Sequence, residues 1–342
     1  MMKPLVGFVG SLLLLSLGCS SEDGDGGLNI GPGGTNGAGA TNGTGAGSGT
    51  AAASGSGAAG PVIVVPGPGG EGATGGGVTN PGNGMPEVCD GIDNDANGSI
   101  DDVDAGGDGV CDCLSIATLG GIGPWSSGGN IFASWLNARS PQGAVALAEQ
   151  VLTPELLAPF DVIVTLHVGT SAVSGNGRTV PARPAFSESE VAAFQAWVQG
   201  GGGVMTTIGY SGNEREEVVN VNRLLAPFGT GYSTSRLDLS DFITNWSPHP
   251  VTDGVRNIFT DNGVEPEGSG MSVARGRSDR VALQVVQASQ GRVVVWGDEW
   301  ITYDSEWEDV QDQQVELFWL NILKWLSPPN QCQVPIPADI PR

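Results

Sequence analysis

Between Cys89 and Cys113 the chain reads CDGIDNDANGSIDDVDAGGDGVCDC, a run in which acidic side chains alternate around a glycine and cysteines stand at both ends. Such a stretch carries too much charge to form a core of its own, so something other than apolar burial must hold it. Counted from Asp93, the residues Asp93, Asp95, Asn97, Ser99 (through its carbonyl), Asp101 and Asp104 fill positions 1, 3, 5, 7, 9 and 12 of a calcium loop, and Gly98 fills position 6. Hard oxygen ligands in an irregular array suit Ca²⁺ better than Mg²⁺. The twelfth ligand is Asp104 rather than Glu, which requires a closer approach of the chain. No helix-forming segment flanks the loop, so an EF-hand pair is not expected. Asp90, Asp102, Asp108 and Asp112 are available for part of a second site. A polar linker without metal is the alternative.

What precedes this stretch reads as an address and a tether. Met1–Gly18 holds one basic residue, Lys3, and an apolar run from Leu5 to Leu17, too short to span a bilayer and of the length of a signal-peptide core. The sequence Leu17-Gly18-Cys19-Ser20 resembles the lipobox of bacterial lipoproteins, with Ser16 departing from the usual leucine. The resemblance implies cleavage before Cys19, a lipid anchor on that cysteine and, from Ser20, sorting to the outer membrane or cell surface. An ordinary secretory signal is the alternative. Residues 19–86 are Gly, Ala, Ser, Thr, Asn and Pro with little to bury, and are expected to be a disordered tether. The expected organisation is then a signal peptide over 1–18, the tether over 19–86, a calcium-binding module over 87–113, an α/β domain over 114–327 and a tail over 328–342.

The acidic motif has a wider likeness. CDGIDNDANGSIDD is similar to the CDGxDNDxDGxxDD metal-binding motif of secreted myxobacterial and other deltaproteobacterial proteins, with Ala96 and Asn97 departing from it. It also resembles the isolated loops of dockerins and thrombospondin type-3 repeats. A formal net charge of −23 excludes nucleic acid as a partner. Of five cysteines, Cys89, Cys111, Cys113 and Cys332 remain after Cys19, and in an exported chain they read as two disulfides with three possible connectivities. Because the ends of a domain tend to lie together, Cys113–Cys332 with Cys89–Cys111 is the favoured pairing. A four-thiolate zinc site is disfavoured by an oxidising compartment.

From Leu114 onward short apolar runs alternate with amphipathic segments, the pattern of an α/β fold. Leu114–Leu119, a weak Ala144–Leu147, Asp161–Leu166, Val204–Ile208, Val281–Val286 and Arg292–Trp296 read as strands. Ser187-x-x-Glu190 is a capping box that opens a helix, and Val315 to Leu326 carries an i, i+3, i+4, i+7 apolar stripe. The segments FDVIVTL, FSESEVAAFQAWVQGGGGVMTTIG, NRLLAPFG, SPHPVTDGV, GRVVVWGDEWITYD and FWLNILKWL together resemble the class I glutamine amidotransferase-like superfamily, in its trehalose-utilisation-like branch. That likeness implies a flavodoxin-like, doubly wound, mainly parallel sheet. In active amidotransferases a cysteine sits at the tight turn that is Gly209-Tyr210-Ser211 here, and no cysteine lies between Cys113 and Cys332. Glutaminase chemistry, which needs a thiolate, is therefore excluded.

Ligands of open α/β sheets bind beyond the carboxyl ends of the strands. His167, Tyr210, Ser211, Asn213, Glu214, Asp298 and Glu299 are expected there, with His249 arriving on a loop between two prolines. Ser211, His249 and Asp298 are the residue types of a hydrolytic triad, though the turn lacks the final glycine of G-x-S-x-G and the chain order is foreign to α/β-hydrolases. Tyr210, Asp298, Glu299 and Trp300, with Tyr303 and Trp307 nearby, form a possible ligand site for a sugar or a cation. The alternative makes Glu299 a cap for backbone amides and the tryptophans core. The expectation is a non-catalytic, lipid-anchored surface protein with a Ca²⁺-stabilised binding or scaffold domain for a glycan or protein partner. A secreted hydrolase of carbohydrate or ester, working through Ser211, His249 and Asp298, is the alternative.

Overall fold

The computed structural model describes residues 85–340 except 108, 110, 127, 210–213, 238, 239, 310 and 311. The expected signal peptide, Cys19, nearly all of the expected tether, Tyr210 and Ser211 lie outside the described residues.

Eight strands form one sheet: β1 (Ile116–Leu119), β2 (Val145–Ala146), β3 (Val162–Thr165), β4 (Gly203–Thr206), β5 (Asn245–Trp246), β6 (Met271–Arg275), β7 (Val281–Ala288) and β8 (Gly291–Trp296). Their spatial order is β2-β1-β3-β4-β8-β7-β6-β5. The first five in that order run parallel, and β7, β6 and β5 continue the sheet antiparallel. The parallel part has the 2-1-3-4-5 order of flavodoxin-like folds, and its direction of winding reverses between β1 and β3. The expected α/β class and mainly parallel sheet are thus present. Among the described residues, six short strands that the sequence did not signal pair as satellites: Val173–Gly175 with Arg178–Val180, Thr230–Arg236 with Val264–Gly268, and Asp241–Ile243 with Ile258–Thr260.

Strand residues alternate between two cores, as a pleat buried on both faces requires. Val162, Val164, Val294 and Trp296 face the core that includes Phe132, Phe318 and Trp319, whereas Ile163, Val293 and Val295 face the one that includes Phe194, Val221 and Leu225. Helices α1 (Asn130–Asn137) and α6 (Val315–Leu326) therefore cover one face, and α3 (Glu188–Gln199) and α4 (Glu214–Leu225) the other. Two shorter helices, α2 (Pro154–Leu157) and α5 (Asp304–Glu308), complete the set. The capping box at α3 is made on both sides: the Ser187 side chain accepts from the Glu190 amide, and the Glu190 carboxylate accepts from the Ser187 amide. Glu190 also meets Arg183 at 3.2 Å, a buried ion pair that ties the helix start to the preceding loop.

The acidic collar, residues 85–113, is built onto this domain rather than beside it. Cys111 belongs to the same core as Leu114 and Ile116, and Ile100 forms a parallel bridge with Gln331 of the tail. The disulfides are Cys89–Cys113 and Cys111–Cys332, which corrects the favoured Cys113–Cys332 and Cys89–Cys111 pairing. The reason is local. A turn over Asp112 and Cys113, held by the Asp112 amide on the Val103 carbonyl at 2.8 Å, separates the two side chains. Cys111 enters the core where the Cys332 amide reaches the Ile100 carbonyl, and Cys113 is left for Cys89.

Candidate functional site

At the carboxyl ends of β1, β3, β4 and β8 the loops close over a set of buried polar side chains. The β1 and β3 loops are joined by two backbone hydrogen bonds, Gly121 N–H to the His167 carbonyl and His167 N–H to the Gly121 carbonyl. His167 Nδ1 lies 3.1 Å from Glu217 Oε2, and both side chains are almost wholly buried. Glu217 projects from the first half of α4 on the same face as Asn220, which is also buried and donates to the Val168 carbonyl. The same Glu217 oxygen accepts the Gly209 amide at 3.3 Å. Tyr303 and Glu299 come from the chain after β8 and are buried beside each other. Glu299 packs so closely on two glycines that a Cβ on Gly123 would lie 2.3 Å from its Oε2, and one on Gly209 would lie 2.7 Å from its Cδ. Tyr232 closes the cluster, donating to the Trp296 carbonyl at 2.8 Å and sharing a 2.9 Å hydrogen bond with Thr206.

Electrostatics here is set by burial and by an excess of acids. Burial alone would lower the His167 pKa, but the hydrogen bond and charge of Glu217, with the charge of Glu299, together outweigh it and raise the net value. Burial pushes the Asp298 carboxyl well up despite the amides it accepts, and it keeps the Tyr232 and Tyr303 hydroxyls protonated. Two buried atoms here, His167 Nε2 and Glu217 Oε1, have no hydrogen-bond partner, and the Tyr303 hydroxyl is held beside Glu299.

The residues singled out from sequence divide between this cluster and other places. Glu299 belongs to the cluster. Asp298 is a backbone clamp: it accepts the Asp261 amide at 2.6 Å and the Trp300 amide at 3.1 Å. Trp300 is half-buried, edge-on to Phe259 and Tyr303, and the Trp307 and Trp319 indoles both donate to the Ile301 carbonyl as core residues. His249 caps a short 3-10 turn at Pro250–Thr252, with Nδ1 accepting the Val251 amide, and packs edge-on to Trp325. Trp325 is bonded through its carbonyl to Arg292 at the start of β8, while Asp298 follows the end of that strand. Six residues of strand separate those ends, roughly 20 Å. The structure therefore does not bring His249 and Asp298 together as a triad. His249 instead lines a groove of ≈ 710 Å³ with Trp246, Asp253, Asn321 and Lys324.

In the collar no three of the four expected carboxylate ligands, Asp93, Asp95, Asp101 and Asp104, offer oxygens within 4.8 Å of one another. Asp101 accepts the amides of Asp90 and Gly91, Asp104 accepts that of Gly109, and Asp93 accepts that of Gly98. Asn97 accepts the Ser99 amide and donates to Asp95 and Asp102. The carboxylates that do meet are Glu87, Asp95 and Asp102, each offering an oxygen within 4.8 Å of the other two. Asp93 Oδ1, Ser99 Oγ and Asp102 Oδ1 are buried without hydrogen-bond partners. Glu87 lies outside the twelve-residue pattern and reaches the cluster because the amides of Asp95 and Asp101 hold its two oxygens. No spacing rule would have selected it.

No family model and no curated protein matches the chain. Among solved structures it is similar in fold to the mmIFT52 N-terminal domain, with TM-score 0.49 and 13% identity over 62% of this chain and 97% of that one. A cytoplasmic protein from Salmonella typhimurium LT2 aligns with TM-score 0.46 and 15% identity over 63% of this chain and 100% of that chain. A ThuA-like protein from Bacteroides uniformis aligns with TM-score 0.38 and 13% identity, covering 62% and 91%.

Proposed function

We propose that this chain is an exported, lipid-anchored surface protein in which Ca²⁺ and two disulfides clamp an acidic collar onto a non-catalytic, flavodoxin-like binding domain. The observation that carries the proposal is the convergence of Glu87, Asp95 and Asp102 within 4.8 Å. Three carboxylates at that spacing repel one another by about 1 kcal/mol per pair even in water, and a divalent cation reverses the sign of the interaction. The unpartnered Asp93 and Asp102 oxygens supply further hard donors in the same segment. Cys89–Cys113 and Cys111–Cys332 then hold the cation-bound collar at both ends. The lipid on Cys19 and the Gly/Ser-rich tether set the domain at a distance from the membrane, where a glycan or protein partner is met.

Two measurements test this. Ca²⁺ at about a hundred times its Kd is expected to add about 2.7 kcal/mol to stability, a rise in Tm on the order of 5–10 °C that EDTA removes and Glu87→Gln abolishes. An EDTA-insensitive melt, from protein that carries no metal on purification, would falsify the calcium clamp. For the anchor, Cys19→Ser is expected to move the protein from the membrane fraction to the soluble fraction; retention on the membrane refutes lipidation.

A further inference from the structure

We propose that His167 and Glu217 form an oriented binding dyad, a seat for the alcohol hydroxyl of a small uncharged ligand at the reversal of the sheet. The inference rests on reading the α/β unit as a binding domain and says where in it, and for what chemistry, the ligand is held. Buried polar atoms are satisfied as a rule, and one that is not is destabilising. Here His167 Nε2 and Glu217 Oε1 lack partners together, on side chains that are more than nine-tenths buried. Thr165 Oγ1, at the end of β3, is a third. They stand at the carboxyl ends of parallel strands, where open α/β sheets place ligands.

The geometry fixes what the seat does. Glu217 takes Nδ1 of the imidazole at 3.1 Å, so the ring is oriented and Nε2 is the atom left for a ligand. On that side the backbone is glycine: a Cβ on Gly169 would lie 2.7 Å from Nε2. Nε2 gives or takes a hydrogen bond according to its protonation. A hydroxyl group, both donor and acceptor, satisfies it in either state. An anion is disfavoured by Glu217 and Glu299, both buried and both acting on the histidine.

The chain has two histidines, so His249→Gln leaves His167 as the single imidazole in an otherwise intact full-length protein. Diethyl pyrocarbonate acylates an accessible unprotonated imidazole nitrogen, and mass spectrometry reads the product. In the folded His249→Gln protein His167 is expected to be acylated, about tenfold more slowly in 1,2-propanediol than in an equal concentration of sodium acetate. Its ring ¹⁵N signals are expected to shift with the diol and not with acetate. No acylation of folded protein would show that Nε2 is sealed, and equal rates in diol and acetate would show that no hydroxyl is bound; either overturns the proposal. Glu217→Gln, if it folds, is expected to lower the pH at which His167 acylation sets in, because the carboxylate that favours the imidazolium is gone, and an unchanged pH profile counts against the dyad. Because EDTA acts only on the collar, a positive chelator result with an inert His167 rejects the seat alone. The converse rejects the calcium clamp alone.

Discussion

Serine at both Cys111 and Cys332 is expected to cost about 3–5 kcal/mol of stability and to lower Tm by on the order of 10 °C. The bond spans 221 residues of sequence, and fixing the two ends of so long a loop removes most of the freedom that such a link can take from the unfolded chain. Both sulfurs are also buried, Cys111 in the same core as Leu114 and Phe318, so the change leaves polar hydroxyls among apolar neighbours. Serine at Cys89 and Cys113 opens a loop of separation 24, and chain entropy alone makes that change milder by about 2 kcal/mol. Urea denaturation of the two double variants gives the comparison directly. A Cys111/Cys332 variant with the wild-type midpoint would mean that tying the collar to the tail contributes nothing to the stability of the domain, against the shared core and the Ile100–Gln331 bridge.

The same collar shows what sequence can and cannot convey. Ser187 and Glu190 announce their capping box because both partners are local, and FDVIVTL announces β3 because all four strand residues, Val162 to Thr165, are buried. The stripe from Val315 to Leu326 appears as α6 at the expected bounds. Disulfide pairing depends instead on a turn at Asp112 that no periodicity encodes, and the meeting of Glu87 with Asp102 depends on which backbone amides each carboxylate happens to hold. Glu217 is the clearest omission. Within EREEVV it looks like one more solvated acid on an amphipathic helix, and it is buried because α4 packs that turn against the end of β3. His167 stands where the strand-end rule puts ligand-binding residues, but nothing near it in sequence marks its partner. The antiparallel extension through β6 and β5 is illegible for a related reason: MSVAR and NW are too short and too irregular to alternate, and pairing across the sheet decides them.

Because the partner is distant in sequence, the pair can be tested by removing either half. His167→Phe leaves the Glu217 carboxyl in the interior without its imidazole and is expected to cost about 3–5 kcal/mol. Adding Glu217→Leu is expected to return most of that loss, since replacing a buried pair by apolar groups is far milder than orphaning one member. The pH dependence separates this from simple repacking. The His167 pKa is raised in the folded protein above its ordinary 6.5, so the folded state holds the proton more tightly than the unfolded chain. The stabilisation is therefore complete below about pH 6.5 and fades as pH climbs through the folded value. Asp298, Glu306 and Asp161, whose carboxyls are also raised by burial, titrate in both proteins and cancel in the difference. The stability of wild type minus that of His167→Phe/Glu217→Leu should thus shrink steadily above pH 6.5. A difference that stays flat to pH 9 would mean that Glu217 and Glu299 do not outweigh burial at this histidine, and that the pair braces the loops by shape alone.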